Sequence, residues 1–252
     1  MVAPLLPRLL LAAATALPLG AATDFSFEDG ALLRSGSRGG RAVVVGRGDA
    51  SEGPLPAVVF LHGLNDGGPI HRWLNPDAID LRGVVAAIAE SAALPPFILA
   101  APSQTKDAGH ARSLWAGFDL EAFVAAVERA YGDAYRIDRG RVVVVGHSAA
   151  GCNPDGGLLA LAEGTLLPAA VVAVDTCVDD DAFVGLGALP GSVPVRVVAQ
   201  TRSWPRDVGA FREQLRALRS YGSFTPDDSV DEIDEPGTAP HETIVPTALR
   251  RV

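Results

Sequence analysis

The thirteen residues from Arg141 to Asn153, RVVVVGHSAAGCN, constrain this chain more than any other stretch. The valine run after Arg141 reads as a strand covered on both faces, because β-branched side chains fit a pleated, buried surface. The chain then turns abruptly through Gly146-His147-Ser148-Ala149-Ala150-Gly151, and an Ala/Leu-rich stretch predicts a helix over about 149–162. A serine on so sharp a strand-to-helix turn carries its hydroxyl exposed above the sheet edge. Residues two positions either side must be small, which Gly146 and Ala150 satisfy. A helix starting behind the hydroxyl would add free N–H groups that favour developing negative charge. Chemistry is expected here.

The rest of the chain alternates strand and helix patterns. Short β-branched runs at Arg41–Val45 and Ala57–His62 flank a Gly/Pro-rich turn segment, and further strands are expected at Phe97–Ala100, around Val171 and at Val193–Ala199. Helical spacing marks Leu81–Ala93, Leu120–Ala130 (Leu120, Phe123, Val124, Val127) and about Val208–Ser220. Such alternation predicts an α/β fold, a mostly parallel central sheet with helices on both faces. In such sheets functional groups gather beyond the carboxyl ends of the strands.

A chain of 252 residues suits one domain with a sizeable core, and a formal charge of −9 argues against nucleic acid or an anionic membrane as partner. The N-terminus has the pattern of a targeting segment. Arg8 is the one charge in Met1–Arg8, Leu9–Leu19 is apolar but too short to span a bilayer, and Gly20-Ala21-Ala22 offers small residues for cleavage after Ala22. Residues 1–22 are therefore expected to be a signal peptide, and residues 23–252 a secreted or periplasmic domain with no membrane span. The two cysteines, Cys152 and Cys177, fit an oxidising compartment. Their pairing would close a loop of about 25 residues, worth roughly 3 kcal/mol in the chain-entropy picture.

The Gly146–Ala150 turn resembles the G-x-S-x-G motif of the α/β-hydrolase family, with Ala150 in place of the second glycine and Gly151 one position later. The segments RSLWAGFD (112–119) and Tyr135–Arg141 are similar to secreted feruloyl-esterase and polyhydroxyalkanoate-depolymerase-like hydrolases, over roughly Ala57 to Ala150. The resemblance implies a single α/β-hydrolase domain and a serine hydrolase acting on a small or polymeric carboxylic ester through an acyl-enzyme, with neither metal nor organic cofactor. A peptidase or amidase with the same groups, or a non-catalytic binding protein on this fold, remains an alternative. Ser148 is the implied nucleophile. His62-Gly63-Leu64 at a strand end is implied to supply the Leu64 N–H to an oxyanion hole completed by the Ala149 N–H. Family chain order places acid and then histidine after the serine, and His241, in a turn-rich loop, is the one histidine after Ser148. Asp207 is the first candidate acid, with Asp175 and Asp179 of the Asp175–Asp181 group as alternatives, although an Asp before a helix is also a favoured N-cap. Trp73, Trp115 and Trp204 are expected in loops at the active face, either as lining for an acyl or aryl pocket or, equally, as caps on the core at the loop edges. The acidic run Asp227–Glu235 lacks calcium-loop spacing and is expected to be a solvated loop.

Overall fold

The computed structural model describes residues 24–35, 37–46, 53–64, 80–104, 110–202, 206–220, 228–236 and 240–251. The signal-peptide segment, Trp73 and Trp204 lie outside these residues. Among the described residues eight strands form one sheet: β1 (Asp24–Glu28), β2 (Ser37–Val45), β3 (Leu55–Leu61), β4 (Phe97–Gln104), β5 (Ile137–His147), β6 (Ala170–Val174), β7 (Val195–Gln200) and β8 (Ser229–Ile233), in the order β1-β2-β4-β3-β5-β6-β7-β8. β1 and β2 run antiparallel, and every pairing from β4 across to β8 is parallel. β5 sits between β3 and β6, with Val142 and Val144 buried on one face and Val145 on the other, while Val143 is half-buried.

The period-two alternation of the strands sorts their side chains into two cores. Val59, Leu61, Val142, Val144, Val171, Ala173, Val195 and Val197 face a layer built from α2 (Leu120–Tyr131), α3 (Asp180–Gly187) and α4 (Val208–Ser220). Phe60, Val145, Val172, Val174 and Val198 face the opposite layer, α1 (Leu81–Ser91) and α5 (Pro240–Leu249). Each fully buried valine contributes about 1.5 kcal/mol or more, and a one-residue slip would exchange both faces at once. That is why the register, and with it the position of every strand end, is well determined.

Aspartates start four of the helices. Asp80, Asp119, Asp179 and Asp207 accept hydrogen bonds from the backbone N–H groups of Arg82, Ala122, Ala182 and Ala210 at 2.8–3.0 Å, which satisfies amide groups that lack a partner within the helix. The Arg82 guanidinium beside Asp80 also holds that carboxyl below the usual carboxylate range.

Two expectations need correction. The stretch after Ser148 is not an α-helix: Ser148–Gly151 forms a single 3-10 turn, and a second short one follows only at Leu161–Glu163. The cause lies in Asn153-Pro154-Asp155-Gly156-Gly157, where proline lacks the N–H a helix interior needs and the glycines favour turns. Asn153 uses its side chain instead, accepting from the Asp155 N–H at 3.0 Å and donating to the Leu114 carbonyl at 2.8 Å. The acidic run is not a solvated loop either, since Ser229–Ile233 is the edge strand β8 and Asp228 is buried against Arg219 of α4. Arg219 also donates to the carbonyls of Leu189 and Val193, so this edge is fastened to α4.

Cys152 and Cys177 form a disulfide with their Cα atoms 5.1 Å apart. It joins the turn after β5 to the segment after β6. Among the described residues no helix is long and apolar enough to cross a membrane.

Candidate active site

Ser148 follows the last residue of β5 directly and has φ = 57°, a left-handed conformation that a side chain rarely adopts. Close packing imposes it. Gly146 lies beneath Leu158, where a Cβ would stand 2.6 Å from the leucine carbons, and Gly63 lies against the serine itself, where a Cβ would stand 2.5 Å from Ser148 Cβ and 2.9 Å from its Oγ. Ala150, in the place of the second motif glycine, is fully buried without displacing the turn. The His62–Leu64 loop after β3 is thus in contact with the serine side chain, with the Leu64 amide one residue beyond.

His241 belongs to the first turn of α5 rather than to a loop, one residue after Pro240, whose fixed φ suits a first helical position. The Ser148 hydroxyl meets His241 Nε2 at 2.8 Å. The other ring nitrogen, Nδ1, donates to the carboxylate of Asp175. The three candidate acids are placed differently. Asp207 accepts from the Ala210 N–H at the start of α4, and Asp179 caps α3 and pairs with Arg112 at 3.0 Å. Asp175 is the residue against the imidazole. It stands immediately after β6 with φ = 48° and no exposed surface, and its second oxygen accepts the Gln200 N–H at 2.9 Å and a guanidinium N–H of Arg206.

Sequence reasoning gave no positioning role to Arg206, His147 or Trp115. Arg206 carries no local signal beyond being an arginine in a loop after a strand. His147 packs its ring 4.6 Å from the His241 ring and donates from Nε2 to the His241 carbonyl at 2.8 Å, so it holds the histidine's backbone. Trp115 is 2 % exposed and packs in the core. Its indole N–H donates to the His62 carbonyl at 2.9 Å, and its ring meets that of His62 edge-on at 5.0 Å, which braces the loop that touches Ser148. Nearby, where β7 and β8 end, hydrogen bonding from Arg202 holds the exposed Asp234 carboxyl below the usual range. Among the described residues no group of His, Cys, Asp or Glu side chains is arranged to hold a metal ion.

Chemically, a serine hydroxyl facing an imidazole whose other nitrogen faces a buried carboxylate is the arrangement in which a base can take the hydroxyl proton and leave a nucleophilic oxygen.

No protein family matches the chain by sequence, and no curated protein does. Solved structures do match. A thermostable esterase is 20% identical with a TM-score of 0.52, over 90% of this chain, which spans only 59% of that longer one. A ferulic acid esterase is 13% identical with a TM-score of 0.54, over 90% of this chain and 94% of its own. A mutant of the feruloyl esterase module from Clostridium thermocellum, complexed with sinapinate, is 12% identical with a TM-score of 0.55, over 90% and 86%. The sheet order, the placement of helices on both faces and these likenesses show one thing plainly: the chain has the α/β-hydrolase fold.

Proposed function

We propose that this protein is an exported serine hydrolase that cleaves carboxylic esters through an acyl-enzyme. The observation that carries the reading is the hydrogen-bonded line Ser148–His241–Asp175, assembled from the ends of β5 and β6 and the start of α5. In the first step His241 Nε2 accepts the Ser148 proton while Oγ bonds to the ester carbonyl carbon, whose oxygen becomes an oxyanion. The amides of Leu64 and Ala149 donate to that oxyanion, each contributing about 3 kcal/mol of transition-state stabilisation. As the intermediate collapses, the C–O bond to the alcohol breaks and His241 returns the proton to the leaving oxygen. Water, deprotonated by the same imidazole, then attacks the acyl-serine and releases the acid. Asp175 keeps the Nδ1 proton in place, so that Nε2 faces the serine as an acceptor, and it stabilises the imidazolium. No step calls for a cofactor.

An ester rather than an amide is favoured by the esterases among the structural neighbours. Export is favoured by the targeting pattern of residues 1–22 and by the disulfide. The N-terminus of the exported protein is expected at Thr23.

A fluorophosphonate probe is expected to label the wild-type protein and not Ser148→Ala. p-Nitrophenyl acetate and butyrate are expected to be hydrolysed far faster than peptide anilides. Absence of labelling in folded wild-type protein overturns the enzyme reading, and preferential anilide cleavage overturns the ester assignment.

The close approach at Gly63 yields a further expectation. Gly63→Ala places a methyl group 2.5 Å from Ser148 Cβ, so either the loop or the serine must move. A displacement near 1 Å in a reacting group costs roughly a hundredfold in rate, and overpacking costs about 1–3 kcal/mol in stability. Steady-state kinetics and a thermal melt of the variant check both numbers.

A further inference from the structure

Behind the Asp175 carboxylate lies a buried cation. The Arg206 side chain is 6% exposed and that of Asp175 is 0% exposed. Arg206 Nη1 donates to the carbonyl of Thr176 at 2.6 Å, and Nη2 donates to the carbonyl of Gln200 at 3.0 Å and to Asp175 Oδ1. Thr176 follows β6 and Gln200 ends β7, so one planar guanidinium spans two strand ends and the carboxylate between them. A rigid fork of donors suits such a task, which the single-point ammonium of a lysine cannot reproduce. The two carboxylate oxygens thereby have separate partners: Oδ1 meets Arg206 and the Gln200 N–H, and Oδ2 is left for His241 Nδ1.

We propose that Arg206 is a positioning residue that controls both where the His241 imidazole points and the pH above which it can act as a base. It clamps the Asp175 carboxylate in one orientation, and its fixed positive charge offsets part of the negative charge that would otherwise hold a proton on the ring. The kinetic half of this proposal rests on the functional reading above; the structural half does not. Among the described residues, the charged and titratable groups that meet or neighbour the ring are Asp175 from the end of β6, Ser148 just after β5, the 2 % exposed His147 that ends β5, Arg206 behind Asp175, and Glu242, the next residue of α5. Of these, Arg206 alone carries a permanent positive charge. A unit charge several ångströms away inside a protein moves a titration by roughly one pH unit or more. Without Arg206 the imidazolium faces the full charge of Asp175, so its loss of a proton moves to higher pH.

The test is the titration of His241 followed by NMR of the imidazole Cε1–H groups in the full-length folded protein, with the signal assigned by its disappearance in His241→Gln. Arg206→Gln is expected to raise the midpoint by about one pH unit or more. Arg206→Lys, which keeps the charge and loses the fork, is expected to leave it in place. In ester hydrolysis the acid limb of kcat/KM should follow the same pattern. Both variants should lose kcat roughly tenfold with little change in KM, because an imidazole pointed slightly away accepts its proton less well. A folded Arg206→Gln with the wild-type midpoint overturns the proposal. Should that variant fail to fold, Arg206→Lys decides: an unmoved midpoint with reduced kcat supports the clamp, and a raised midpoint or wild-type kcat overturns it. If the wild-type protein hydrolyses no ester, the functional reading fails on its own, and the NMR midpoints still decide what Arg206 does.

Discussion

Ser148→Ala is expected to lower kcat for ester hydrolysis roughly a millionfold while leaving the fold intact. The change deletes one oxygen, the atom that forms the covalent bond and that meets His241 Nε2. A residual rate about a thousandfold above that in water should persist, because the amides of Leu64 and Ala149 still meet an oxyanion produced by direct attack of water. Stability should change by about 1 kcal/mol or less, the net worth of one hydrogen bond. Ser148→Gly separates catalysis from strain. The residue is held at φ = 57°, where a Cβ is disfavoured by about 1 kcal/mol, so the glycine variant should be equally inactive yet more stable than the alanine variant by about that amount. Single-turnover kinetics beside thermal melts of both variants read the two effects separately. An alanine variant that retains a tenth of wild-type activity would remove the serine from the mechanism.

Asp175→Asn is expected to cost about ten-thousandfold in kcat, whereas Asp207→Asn is expected to leave it within about twofold. An asparagine at position 175 can offer its amide N–H to His241 Nδ1, which pushes the ring proton onto Nε2 and points a donor at the Ser148 oxygen where an acceptor is required. It also leaves the buried Arg206 facing a neutral group, and breaking one side of a buried ion pair costs about 3–5 kcal/mol. The thermal midpoint should therefore fall together with the activity. Asp207 has a different task. Its carboxylate caps α4 at an exposed position, asparagine caps nearly as well, and even alanine there should cost only about 1 kcal/mol. Equal losses in the two variants would mean that the contact between Asp175 and His241 does not operate during catalysis.

These two aspartates show how much of the site was legible beforehand. Asp207 stands before an amphipathic helix, and that signal is entirely local, so the sequence announces it as a cap as loudly as it suggests an acid. Asp175 has one local mark, its place at the end of the Val171 run. It qualifies because β6 lies beside β5 and the start of α5 returns over both, a fact of strand order rather than of neighbouring residues. The same division explains the other corrections. The helix expected after Ser148 rested on alanines and leucines and underweighted Pro154 and the paired glycines. β8 was hidden because an edge strand can carry aspartate and glutamate when its stability comes from a partner strand and from Arg219. Trp115 reads equally well as pocket lining or as core, and only its hydrogen bond to the His62 carbonyl decides for the latter.

By itself the sequence determined the features that depend on neighbours within a few positions: buried strands from valine runs, three of the helices from apolar spacing, and the cramped turn that presents Ser148. It also narrowed the histidine to His241, since no other follows the serine. The tertiary structure decided which carboxylate meets that imidazole, that a buried arginine stands behind it, that His147 braces the start of α5 and that Trp115 braces the His62–Leu64 loop. These are contacts between residues up to 94 positions apart. They arise from how the strands are ordered and registered by the two-sided core, and no short-range pattern encodes that order.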